Sequence, residues 1–269
     1  MCEYHYKIRF ITMKCFNVND LKYFPEYNWF EKAINYPYDS PENSYTFKNG
    51  KFYNGIHTSL KKRIPIISIG SNRSPYQLKN KFGLQQDLCV TPAKLYNSEI
   101  VYAASISVYG SIPATQWPKE GSDADLNLLW LTEEQLNIMH LSEGVGIAYD
   151  FVELDKSSVV LKEVDYSGPI FGYVSTKGIY TFEGDFPLRL KKIRSNKNTF
   201  LSIDEYEALT KLNFQETKGK IGLEKWLKEL ISHKTKRLKL IKKMLNKSIL
   251  PKHKYWKVIK INVNGTNIF

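Results

Sequence analysis

Apolar positions follow different rhythms along this chain. In RIPIISIGSN a β-branched run from Ile64 to Ile69 stops at Gly70, which reads as a buried strand ended by a turn. The next stretch, SPYQLKNKFG, opens as a helix does, with Ser74 placed to cap it and Pro75 at the first helical position, where the backbone N–H has no partner anyway. Further strands are expected in AKLYNSEIVYAASISVYG, LNLLWL, AYDFVEL and IFGYVST. A helical period governs LTEEQLNIMHLSEG: Thr132 can cap it with Gln135 reaching back, and Leu131 and Leu136 take the places of a hydrophobic staple. At about 100° per residue, Leu136, Met139, His140 and Glu143 share one side of this helix, while Ile138 and Leu141 share another.

The flanks differ in texture. Residues 1–62 are rich in Tyr, Phe, Asn and Pro, with a tight hairpin expected at Asn49-Gly50, and read as an extension of loops and short strands. Residues 63–185 carry most of the strands, and 186–269 read as a mainly helical region. In that last region a capping box is expected at Ser202 and Glu205, a helix in GLEKWLKELI, and a basic amphipathic helix in SHKTKRLKLIKKMLNK, which holds seven Lys plus Arg from Lys234 to Lys247. Strands alternating with few helices predict an α/β (α+β) fold built on a mixed β-sheet that curls around a cavity. No internal repeat is present.

At 269 residues and 42% hydrophobic the chain can bury a sizeable core. The net charge of +12 suggests nucleic acid until its distribution is read: from Phe186 onward 21 Lys plus Arg face six Asp plus Glu, so the rest of the chain is mildly acidic. No recognised nucleic-acid motif accompanies the basic segment, so nucleic acid or an anionic surface stands as the lesser partner. No run approaches the roughly 18 apolar residues of a membrane span, and the charged opening MCEYHYKIRFITMKCF does not resemble a signal peptide. Cys2, Cys15 and Cys89 lack metal or disulfide spacing, so a reducing cytoplasm is the expected setting and no metal site is expected.

The candidate chemistry lies at Glu143, directly before Gly144. A glutamate in the last turn of a helix is ordinarily solvated, but this one shares a stripe with Met139 and His140, where a carboxylate is costly unless paired or used. The turn from Gly70 to Arg73 opens a helix, and its backbone N–H groups can serve an anion.

In their order along the chain, these segments resemble the γ-glutamylcyclotransferase-like superfamily. Gly70, Ser71 and Asn72 match the family's turn after its first strand; Ala114, Thr115, Pro118 and Gly121 match a small-residue segment with a Pro-Gly turn; Glu143, Gly144 and Tyr149 match a helix ending in Glu-Gly with a tyrosine beyond. The resemblance spans about residues 65–181, and Ile69 stands where the family turn begins with tyrosine. It implies a mixed curled β-sheet or barrel of cyclotransferase-like type. It also implies an enzyme in which Glu143 carries the proton while a substrate amine attacks its own γ-carbonyl, with no cofactor or metal. Gly70, Ser71, Asn72, Arg73 and Tyr149 would contact a small amino-acid-derived substrate, with Tyr109 and Tyr173 as further contacts. The alternative is a non-catalytic binding protein on this fold that uses its basic C-terminal region.

Overall fold

The computed structural model describes residues 18–182, 186–197, 199–252 and 255–261. Cys2, Cys15 and the expected boundary at Asp185 lie outside them. Six α-helices occur among the described residues: α1 (Trp29–Ile34), α2 (Pro75–Phe82), α3 (Glu133–Glu143), α4 (Glu205–Thr217), α5 (Leu223–Ser232) and α6 (Lys234–Leu245). The strands are β1 (Tyr45–Lys48), β2 (Lys51–Asn54), β3 (Ile64–Ser68), β4 (Leu88–Tyr102), β5 (Ala114–Leu131), β6 (Tyr149–Leu154), β7 (Val159–Leu161), β8 (Phe171–Ser175), β9 (Ile179–Tyr180), β10 (Arg189–Leu190), β11 (Ser202–Ile203), β12 (Ser248–Ile249) and β13 (Trp256–Val258). No helix of the described residues is long and apolar enough to cross a membrane.

The architecture is mixed α+β. One sheet runs β11-β10-β4-β5-β3-β8-β6-β13, with β1 and β7 also on β4, and with parallel pairs at β3–β8 and β10–β11. This path has two ends, so the sheet is open rather than a closed barrel. Its spine is the long antiparallel ladder of β4 and β5, which runs from Cys89 opposite Trp130 to Tyr102 opposite Ala114. Pro118 and Gly121 lie inside this ladder rather than at a free turn: Pro118 faces Ser98, and the Gly121 N–H reaches Asn97 Oδ1 at 3.1 Å where the register shifts. The strand expected to continue to Gly110 ends at Tyr102, because Ser107 and Ser111 close a turn between themselves through hydroxyl and backbone bonds.

Alternation along the strands separates two cores. Ile66, Leu129, Leu131, Phe151 and Tyr173 point to the face covered by α2, α3 and the β1–β2 hairpin, whereas Ile67, Leu128, Trp130, Val152 and Val174 point to the face covered by α4, α5 and α6. The basic helix therefore docks through Leu240 and Met244 and leaves Leu238 exposed.

The capping box of α4 is one register later than expected. Asp204 accepts from the Glu207 N–H and Glu207 reaches back to Asp204, while Ser202 belongs to β11. That shift sends Glu205 inward, where it is only 2% exposed and accepts the Ile112 N–H at 2.6 Å. Burial raises the Glu205 carboxyl well above its ordinary 4.5. A raised folded value means that the native chain binds the extra proton, so this stabilisation is complete below the ordinary value and is lost as pH rises through the raised one. Glu205→Gln keeps an acceptor for Ile112 and removes the titration. In denaturant unfolding across about pH 4 to 8, wild type should lose stability relative to this variant as pH rises. Curves that stay parallel would contradict a carboxyl buried in its neutral form.

Candidate active site

Helix α3 is well defined at both ends. Thr132 Oγ1 accepts from Gln135 N–H while Gln135 returns a bond to Thr132 N–H, and Gly144 closes the helix in the left-handed region at φ 60°. Between these ends Met139 is fully buried, His140 nearly so, and Ile138 is exposed, so the stripe bearing Glu143 faces inward. The Glu143 side chain retains 15% exposure.

The carboxylate meets the turn after β3. Asn72 Nδ2 donates to Glu143 Oε1 at 3.0 Å. Lys81, from the last turn of α2, donates to the same oxygen at 2.5 Å, to Asn72 Oδ1 at 2.9 Å and to Met139 Sδ at 3.2 Å. Among the described residues, the hydrogen bonds to Glu143 all fall on Oε1, and Oε2 accepts none. Lys81 had no place in the expected site, although it lies three residues after the buried Leu78 and so shares the inward side of α2.

Phenols surround this group. The Tyr109 hydroxyl lies near Ser71 and Ser111, and burial, then the nearby Glu143 charge, raises it above the ordinary 10.0. Tyr149 donates to Ala114 O at 3.2 Å; burial, then Glu143, raises it well above the same value. The Tyr173 hydroxyl pairs with His140 Nδ1 at 2.9 Å and is raised by burial and by Glu143. Burial lowers His140, which is otherwise occupied by Tyr173 and by an edge contact with Phe151. Asn72 thus bonds to Glu143, while Tyr109, Tyr149 and Tyr173 lie near enough for its charge to act on their hydroxyls. Arg73 does not point there: its Nη1 donates to Asp125 O at 3.1 Å, and its own carbonyl accepts from Ser40 and Tyr45.

Both flanks reach this place. Tyr36, just after α1, accepts the Ala114 N–H at 2.9 Å and brings its hydroxyl against Gly70, supplying a phenol at the turn where position 69 is isoleucine. The loop carrying Tyr109 is held by Lys32 over the Tyr109 ring at 5.0 Å and by Glu205 through Ile112. No local pattern marked Tyr36, and Glu205 was marked only as a capping-box residue, because the contacts both make here span a long sequence separation. A cleft of about 310 Å³ lies elsewhere, lined by Tyr180, Gln215, Glu216, Lys218, Lys243 and Lys247 among others.

No family model matches this sequence, and no curated protein matches it. Among solved structures, the fold is similar to that of a γ-glutamyl cyclotransferase, at 17% identity and TM-score 0.35 over 42% of this chain and 67% of that one. It is similar to an uncharacterized protein from Homo sapiens, at 17% identity and TM-score 0.34 over 43% and 68% of the two chains. A protein from Arabidopsis thaliana, solved in solution, is similar at 16% identity and TM-score 0.36 over 61% and 94%.

Gly70 tests the packing around the turn. Its φ of −134° needs no glycine, but an added Cβ would lie 2.3 Å from Tyr36 Oη and 3.3 Å from Ala114 Cβ. Gly70→Ala should destabilise by about 1–3 kcal/mol, and by less in a Tyr36→Phe background, where the colliding oxygen is gone. A double-mutant cycle by urea unfolding measures this; additive losses would mean that Tyr36 does not set the constraint.

Proposed function

We propose that this chain is an enzyme that opens the amide of a small γ-glutamyl or related amino-acid derivative by intramolecular aminolysis. The observation that supports it is a single carboxylate, largely withdrawn from water, whose Oε1 already accepts from an amine at 2.5 Å and from an amide N–H at 3.0 Å. These are the two nitrogen types, attacking amine and departing amide nitrogen, between which the reaction must move a proton.

In this reading the substrate ammonium takes the place of Lys81 against Glu143. Glu143 accepts its proton, the amine attacks the γ-carbonyl to close a five-membered lactam, and Glu143 hands the proton to the nitrogen that leaves. The nucleophile is tethered to its target, so holding a folded-back conformer supplies much of the acceleration. Asn72 orients the Glu143 carboxylate, the N–H groups of the Gly70 to Arg73 turn receive the substrate carboxylate or the developing oxyanion, and Tyr109, Tyr149 and Tyr173 flank the site. Residues 63–185 then hold the chemistry, and the two flanking regions brace it. The basic face of α6 supports a lesser reading as a contact surface for anions.

The test is turnover. Purified protein incubated with a panel of γ-glutamyl amines, amides and peptides should release a lactam such as 5-oxoproline, and Glu143→Gln should slow this by about 10²–10⁴-fold. Turnover unchanged in the variant, or none in wild type across the panel, would overturn the proposal.

A further inference from the structure

The three side chains that meet at Glu143 are a matched set of reactants in their own right. The Lys81 amine lies 2.9 Å from the carbonyl oxygen of the Asn72 side-chain amide, and Glu143 Oε1 touches both the amine and the amide nitrogen. The surroundings are partly shielded from water: the two charged side chains are 9% and 15% exposed, and buried Met139 packs its sulfur on the amine. Asn72 and Lys81 also sit on adjoining elements, the short turn Ser71–Arg73 and helix α2, so little freedom separates them.

We propose that Lys81 and Asn72 become joined by an intramolecular isopeptide bond, with Glu143 as the proton carrier. Glu143 takes a proton from the Lys81 ammonium, and the freed amine attacks Asn72 Cγ. As the tetrahedral adduct collapses, that proton passes from Glu143 to Nδ2, the Cγ–Nδ2 bond breaks, and ammonia departs. The surplus proton on the attacking nitrogen leaves through the same carboxylate and converts the ammonia to ammonium. One C–N bond forms and one breaks: an alkylammonium and a primary amide give a secondary amide and ammonium, with no change of oxidation state. Contact distance between tethered reactants is the condition under which such a step proceeds without a separate catalyst.

Two consequences follow from the new bond. It ties the turn after β3 covalently to α2, closing a small loop that constrains the unfolded chain as any cross-link does. It also expels Asn72 Nδ2 and turns the Lys81 ammonium into a neutral amide, which removes the ion pair from Glu143; the new amide N–H takes over from Nδ2 in orienting the carboxylate, which is then free for another amine. The bond is independent of whether the chain acts on an external substrate, so the two proposals fail separately.

Mass spectrometry decides. Intact wild-type protein, incubated after purification, should be lighter by one ammonia. Trypsin should then fail to cut after Lys81 and should release a branched peptide that joins residues 64–73 to residues 80–94. Glu143→Gln and Lys81→Met should keep the full mass and, for the former, normal cleavage after Lys81. Full mass in wild type, or loss of ammonia with Lys81 still cleaved as a succinimide at Asn72 would give, overturns the proposal. If either variant fails to fold, the wild-type peptide map suffices alone.

Discussion

A carboxylate leaves water only where something else satisfies its charge, and the meeting of Glu143 with Lys81 and Asn72 meets that requirement here. Each neighbouring element can be understood as holding one corner of it. The capped helix α3 carries the acid to its last turn, where Gly144 lets the chain fold away. The β3 strand ends in the turn that presents Asn72, and α2, begun at Pro75, returns Lys81 from the other side.

The flanking regions are part of this arrangement rather than ornaments on it. Hairpin β1–β2 extends the sheet through β4, and Tyr36 closes the space over Gly70. From the other end of the chain, Ile231 of α5 packs on Gly110, and Glu205 of α4 holds Ile112, so the loop that bears Tyr109 is clamped between N-terminal and C-terminal structure. Excess basic charge stays on the outer side of α6, away from this chemistry.

Local signals in the sequence were enough for much of this. The stripe of Met139 and His140 places Glu143 inward, the Thr132 and Gln135 pattern sets where α3 starts, and Gly70 marks the end of β3. Ser74 does precede α2, yet its hydroxyl is buried with no partner, so Pro75 rather than a side-chain cap starts that helix. Where two acidic boxes overlap, as at residues 202–207, spacing alone could not choose the register; the chain takes the one that lets Ser202 pair in the sheet and Glu205 bond to Ile112. Lys81 and Tyr36 escaped because a lysine or tyrosine reads as surface or packing until the tertiary fold brings a partner to it.

The proposed chemistry therefore rests on one oxygen, Glu143 Oε1, as the exchange point for protons between two nitrogens. A crystal structure of the protein with a slowly cleaved γ-glutamyl amide observes that point directly. The ligand amine should stand within hydrogen-bond distance of Glu143, with the Lys81 nitrogen no longer on it and the ligand carboxylate at the Gly70 turn. A ligand bound in the cleft between α4 and α6 instead, with the Glu143–Lys81 pair intact, would contradict it.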